Sequence, residues 1–113
     1  MKKISIIGMG YVGTAMATLV ASTKNMNRYK YFVTGIERAT ENGKAISKKI
    51  NAGILPIEIS DSNFKNKFFY ASSKKKNLVC SNSIEDIKGS KIVIVSINCD
   101  LENKINSNVN LKS

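Results

Sequence analysis

Near the amino terminus, Gly8-Met9-Gly10-Tyr11-Val12-Gly13 has the spacing Gly-x-Gly-x-x-Gly, and an acidic residue, Glu37, follows 24 positions after the last glycine. Glycines so spaced hold the pyrophosphate of a dinucleotide when a strand leads in and a helix leads out. Gly8 would make the tight turn, Gly10 would let the backbone approach the phosphates, and Gly13 would let helix and strand pack closely. Free N–H groups of the first helical turn, at Tyr11 and Val12, would face the anion together with the helix dipole. Glu37 would accept hydrogen bonds from the adenosine ribose hydroxyls and repel a 2′-phosphate, which favours NAD over NADP. Arg38 beside it could instead stack on adenine or meet a 2′-phosphate. The competing reading is a glycine turn that binds nothing, with Glu37 merely solvated.

Other chemistry is scarce. The sequence has no histidine, so the commonest general base and metal ligand are both missing. Catalysis would have to run on Cys, Lys, Asp, Glu or Tyr. Its two cysteines, Cys80 and Cys99, have no Cys-x-x-Cys spacing. A zinc site needs about four ligands, so two reduced thiols are expected, with no metal and no assigned catalytic residue.

The elements needed to position the glycines are present in the pattern. Lys3 to Ile7 is a β-branched run ending at Gly8, which predicts a buried strand. Val12, Ala15, Met16, Leu19 and Val20 then predict one apolar face of a helix. Lys24 to Lys30 is polar and ends that helix, and Tyr31 to Ile36 predicts a second strand. A second helix is expected from Thr40, with Ala45, Ile46, Lys49 and Ile50 facing inward and Gly53 as its stop. Ile54 to Asp61 reads as a connection, and Asn63 to Lys76 is ambiguous. Leu78 to Cys80 predicts a short strand, and Ser83 to Gly89 a compact helix with a capping-box-like start. Lys91 to Ile97 is the strongest strand, apolar enough to predict burial on both faces. The alternation predicts an α/β, Rossmann-type doubly wound parallel sheet, incomplete, with about four strands. Residues 1–101 form the expected domain and 102–113 a disordered or frayed tail.

At 113 residues, 42% hydrophobic and 23% charged, the chain has the size and composition of one soluble domain. Eighteen Lys+Arg against eight Asp+Glu give a net charge of +10. A nucleic-acid binder should gather such charge into one stripe with aromatics interleaved, whereas these lysines are scattered along the sequence. Neither nucleic acid nor membrane is expected as a partner. Lys2-Lys3 before an uncharged run imitates a targeting segment, but Gly8, Gly10 and Gly13 interrupt the run, so a cytoplasmic location is expected.

Lys3-Ile4-Ser5-Ile6-Ile7-Gly8-Met9-Gly10-Tyr11-Val12-Gly13 resembles the opening of the UDP-glucose/GDP-mannose dehydrogenases, in which Gly-Tyr-Val-Gly is characteristic. Gly35-Ile36-Glu37, Lys49-Ile50-Asn51-Ala52-Gly53 with Pro56-Ile57, and Ile92-Val93-Ile94-Val95-Ser96 follow in the family's order, over residues 2–101. The family's Leu-Pro after the glycines is Thr14-Ala15 here, its usual Asp is Glu37, and its Val-Pro-Thr-Pro is Ser96-Ile97-Asn98-Cys99. The resemblance implies an NAD-dependent oxidation of a nucleotide-sugar C6 alcohol to the carboxylate. It places Ser96 and Asn98 on the cofactor side, with Asn98 near the nicotinamide-side ribose. Family members are several hundred residues long, and their catalytic cysteine and lysine lie beyond position 113. The chain alone is therefore expected to bind NAD and to be inactive, meeting a nucleotide sugar only if a second domain is supplied. A stand-alone dinucleotide-binding regulatory or interaction module is the alternative, self-associating or docking through an exposed sheet edge.

Overall fold

A computed structural model describes residues 1–96. Asn98, Cys99 and the expected tail at 102–113 lie outside the described residues. Among the described residues, six strands and three α-helices follow one another as β1 (Lys2–Ile7), α1 (Tyr11–Ala21), β2 (Lys24–Asn25), β3 (Arg28–Tyr29), β4 (Tyr31–Ile36), α2 (Glu41–Asn51), α3 (Ser62–Phe69), β5 (Leu78–Ser81) and β6 (Ile92–Val95). Four of the strands form one parallel sheet in the order β5-β4-β1-β6. The fold is α/β and Rossmann-type, as the alternation predicts. Among the described residues, no helix is long and apolar enough to cross a membrane.

Side chains alternate across β1. Ile4 and Ile6 are buried in a core with Met9, Ala17, Ala21, Val33, Ile50, Phe68 and Leu78. Ser5 points the other way, where its hydroxyl meets that of Ser90 at 2.6 Å. On that same face, Lys3 Nζ donates to the Lys88 carbonyl at 2.8 Å. The helices thus cover one face of β1, and the short crossover before β6 covers the other.

Several expectations need correction. Helix α1 buries Gly13, Thr14, Ala17, Thr18 and Ala21, while Val12 and Leu19 are exposed. Its inner face is turned toward the small residues because close approach to the sheet leaves no room for larger ones. Helix α2 likewise buries Gly43, Ser47 and Ile50, with Ile46 half-buried and Ala45 and Lys49 outside. Lys24 to Tyr29 is not mere polar chain but a two-stranded hairpin, turned by Met26 and Asn27 at φ 52° and 64°. Segment 62–75 resolves into α3, capped by Asp61, which runs on into a wider π-helical turn at Tyr70–Lys75. At Ile84–Ile87 the chain forms a 3-10 turn without a side-chain cap, where a capping box would have started an α-helix.

The largest correction concerns β6. It pairs in parallel with β1, from Ile4↔Ile92 to Ile7↔Val95. Yet among the described residues it is an edge strand, with Ile92, Val93 and Val95 exposed rather than buried on both faces. Continuous apolar character marks membership of a parallel sheet; it does not supply the neighbour or the covering helices.

Candidate functional site at the carboxyl end of the sheet

The register brings the carboxyl ends of all four strands level. Ile7 pairs with Ile36 and with Val95, and Ile36 pairs with Ser81. Gly8, Glu37 and Ser96 therefore stand side by side just past the ends of β1, β4 and β6. This is the edge at which open α/β sheets bind ligands.

Gly8 has φ +95°, and a Cβ there would lie 2.0 Å from the Ser96 carbonyl oxygen. Ser96 is held in place by its own N–H, which donates to the Ile7 carbonyl at 2.7 Å. A Cβ on Gly13 would lie 1.8 Å from the Gly8 carbonyl oxygen. Helix α1 therefore starts directly on the turn, and only glycine permits either approach.

Met9, an unspecified position of the motif, is the anchor of the loop. Its side chain is fully buried and lies over Gly35 of β4, where a Cβ would come within 2.6 Å of the thioether sulfur. Its N–H donates to Glu37 Oε1 at 2.5 Å, and its carbonyl accepts from Thr14 Oγ1 at 2.9 Å. Thr14 thus ties α1 to the loop. Sequence reasoning missed Met9, Gly35 and Thr14. The only signal was a lone glycine inside an otherwise β-branched strand, which suggests close approach of another group.

Gly10 is the N-cap of α1 and supplies no side-chain cap, and the first turn carries no acidic residue. The first helical bond runs from the Thr14 N–H to the Gly10 carbonyl, at 2.9 Å. The N–H groups of Tyr11, Val12 and Gly13 precede it and are the orphan donors of a helix start. Tyr11 and Val12 are exposed on this turn. Arg38 is exposed, and its backbone carbonyl accepts from Asn82 Nδ2 at 3.0 Å. Asn82, at the end of β5, is a second residue of this edge that the sequence did not single out. Asn98 lies outside the described residues.

Cys80 is buried in β5, and Ser47 donates to its sulfur at 3.4 Å. Burial, with a smaller contribution from the negative charge of Glu37, pushes the thiol up from its ordinary value against the Ser47 hydrogen bond. A thiol held neutral in this way is a packing group rather than a nucleophile.

Uncapped N–H donors, a glycine turn without room for side chains and a carboxylate at the adjoining strand end fit a dinucleotide. Comparison with solved structures finds the same fold in nucleotide-sugar dehydrogenases. NDP-N-acetyl-D-galactosaminuronic acid dehydrogenase from Methanosarcina mazei Go1 is 25% identical over 86% of this chain and 19% of its own, with a TM-score of 0.71. UDP-D-ManNAc dehydrogenase from Pyrococcus horikoshii is 26% identical over 84% of this chain and 20% of its own, with a TM-score of 0.65. A UDP-glucose dehydrogenase from Pyrobaculum islandicum, at 20% identity and a TM-score of 0.63, shares the fold. The chain spans about a fifth of the length of these structures. No curated protein sequence matches it. The family model described as Seadornavirus VP7 matches residues 3–74, from β1 into the π-helical turn. On that match the chain belongs to the Seadornavirus VP7 family, built on a fold that it shares with the N-terminal portion of nucleotide-sugar dehydrogenases.

Proposed function

We propose that this chain is a pyridine-dinucleotide-holding module, with NAD as its ligand, of the kind that opens a nucleotide-sugar 6-dehydrogenase. The observation that carries this reading is the Glu37–Met9 hydrogen bond, which ties the acidic strand end to the glycine loop before any ligand arrives. With Oε1 engaged by the loop, Oε2 of Glu37 is the oxygen that accepts from the adenosine ribose. The N–H groups of Tyr11, Val12 and Gly13 hold the pyrophosphate. Ser96 closes the turn from β6, and Arg38 stands at the adenine side. When bound, NAD supplies the hydride acceptor for oxidation of an alcohol carbon. The nucleophile, the sugar site and the reaction itself belong to parts of such an enzyme outside this module, which on its own is inactive.

Calorimetric titration of NAD and then NADP into the purified chain, with Gly10→Val as control, tests the reading. Saturable NAD binding that is weaker with NADP and abolished in the control is expected. A folded sample giving no heat with either nucleotide overturns it. Formation of NADH from NAD and UDP-glucose by the chain alone would overturn its assignment as inactive.

A second reading is favoured by β6. Its exposed Ile92, Val93 and Val95 offer a parallel edge to a polypeptide carrying the further strands of such a sheet. In this reading the chain is an interaction module, and NAD binding strengthens only when that polypeptide is added.

A further inference from the structure

We propose that the opposite, amino end of the sheet is a binding surface for single-stranded nucleic acid. In a parallel sheet every strand starts at the same end, and here basic residues precede each start. Lys2 opens β1, Arg28 and Lys30 lead into β4, Lys74 to Lys76 lead into β5, and Lys91 leads into β6, while the neighbouring Lys3 is engaged by the Asp86 and Lys88 carbonyls. The segments 23–31, 74–77 and 89–91 contain no Asp or Glu. Charge that is dispersed along the sequence is thus collected by the topology into one end. This departs from the expectation of no nucleic-acid partner, which rested on that dispersal.

Aromatic rings lie among these charges. The hairpin ring Tyr29 stacks on Tyr70 of the π-helical turn, with centroids 5.8 Å apart and planes at 26°. Lys24 Nζ lies 4.7 Å and Lys75 Nζ 5.6 Å from the Tyr29 centroid. Tyr29 is therefore fixed between its neighbours, while Tyr70 remains 46% exposed. A half-exposed ring such as Tyr70, pre-set by stacking on a second ring that ammonium groups flank, is what an unpaired base stacks on while its phosphates meet the lysines. Duplex DNA hides its base faces, and a lipid surface has none, so the rings select the single strand. The π-helical turn, a geometry frequent at functional sites, is what brings Tyr70, Lys74 and Lys75 to the hairpin. This surface is separated from the Gly8 turn by a six-residue strand, about 20 Å, so it does not depend on the dinucleotide reading.

The test is fluorescence anisotropy of labelled dT20 with the full chain at 50–200 mM KCl. About five phosphate contacts predict a log–log slope near −3.5, roughly a hundredfold loss of affinity across that range. Lys74→Glu with Lys75→Glu is expected to weaken binding at least about tenfold. Tyr70→Ala is expected to weaken it about fivefold or more with the slope unchanged. Lys44→Glu with Lys65→Glu makes the same charge change outside the surface and is expected to cost less than about threefold, judged by the same salt law. Saturating NAD leaves dT20 affinity unchanged. Equal losses in both charge-reversal pairs, or no effect of Tyr70→Ala in a folded protein, overturn the proposal. So does duplex DNA or a phosphatidylserine vesicle binding as tightly as dT20.

Discussion

Replacing Gly35 by alanine tests the account of the glycine loop, because the reason for this glycine lies in Met9. Gly35 is not among the glycines at positive φ, so alanine meets no conformational penalty there. Its Cβ would instead lie 2.6, 2.7 and 2.8 Å from Sδ, Cγ and Cε of Met9, a side chain with no solvent-exposed side on which to retreat. Overpacking of this kind costs about 1–3 kcal/mol. Relief of glycine's backbone entropy returns about 0.5–1 kcal/mol, so Gly35→Ala should destabilise by about 1–2 kcal/mol. Met9→Ala alone should cost about 2–5 kcal/mol, the range for deleting a buried Met. In the Met9→Ala background the new methyl group fills space instead of colliding, and the sign reverses to a gain of about 1 kcal/mol. The coupling from a double-mutant cycle is then about 2–3 kcal/mol, read from urea midpoints of the four proteins. Additivity to within about 0.5 kcal/mol would refute the claim that Met9 dictates Gly35.

Three further outcomes are expected. Gly13→Ala should destabilise by about 3 kcal/mol, because its Cβ would meet the Gly8 carbonyl at 1.8 Å. Gly89→Ala, also at a glycine but with open space around it, should cost only the left-handed backbone term of about 1 kcal/mol; equal melting shifts would contradict the packing argument. Asn77 is fully buried, donates from Nδ2 to the Ala21 and Tyr31 carbonyls at 2.8 and 3.1 Å, and has an unpartnered Oδ1 among the described residues. Asn77→Asp, which removes the donor and buries a charge, should therefore lower the urea midpoint more than Asn77→Ala, and the reverse order would show that the donor is not what matters. Cys80, with its thiol raised by burial, contributes stability that is complete below the unfolded thiol's pKa of about 8.5 and is lost as pH rises through the folded value. In a Cys99→Ser background, the midpoint should fall more between pH 8 and pH 10, an illustrative window around that ordinary value, than it does for Cys80→Ala in the same background. Parallel pH curves would remove Cys80 from this role.

The parts legible from sequence were those set by local pattern. Strands β1 and β4, the glycine turn and the acidic strand end all follow from β-branched runs and spacing. The hairpin at Lys24–Tyr29 was hidden because its left-handed turn residues are Met26 and Asn27, without the glycine that ordinarily signals such a turn. The inner face of α1 was misread because apolarity, the signal in the sequence, differs from smallness, the property that close packing selects. Met9 and Gly35 are 26 positions apart, and neither is unusual alone; only the pairing of β1 with β4 makes one the reason for the other.

The contact between Gly8 and Ser96 has a consequence for how the molecule opens. Among the described residues, strand β6 is hydrogen-bonded on one side alone and carries exposed apolar residues on its surface. Of the two edge strands, β5 buries Leu78 and Cys80 whereas β6 buries no side chain, so β6 has less to lose on detachment and is a low-stability unit in native-state exchange. When β6 peels away, the Ser96 carbonyl leaves the Gly8 turn and the glycine loop loses a wall. A ligand seated on that loop must then hold β6 down, slowing exchange of the Ser96 amide, whose N–H donates to the Ile7 carbonyl. Occupancy of the turn would be written in the deuterium content of β6.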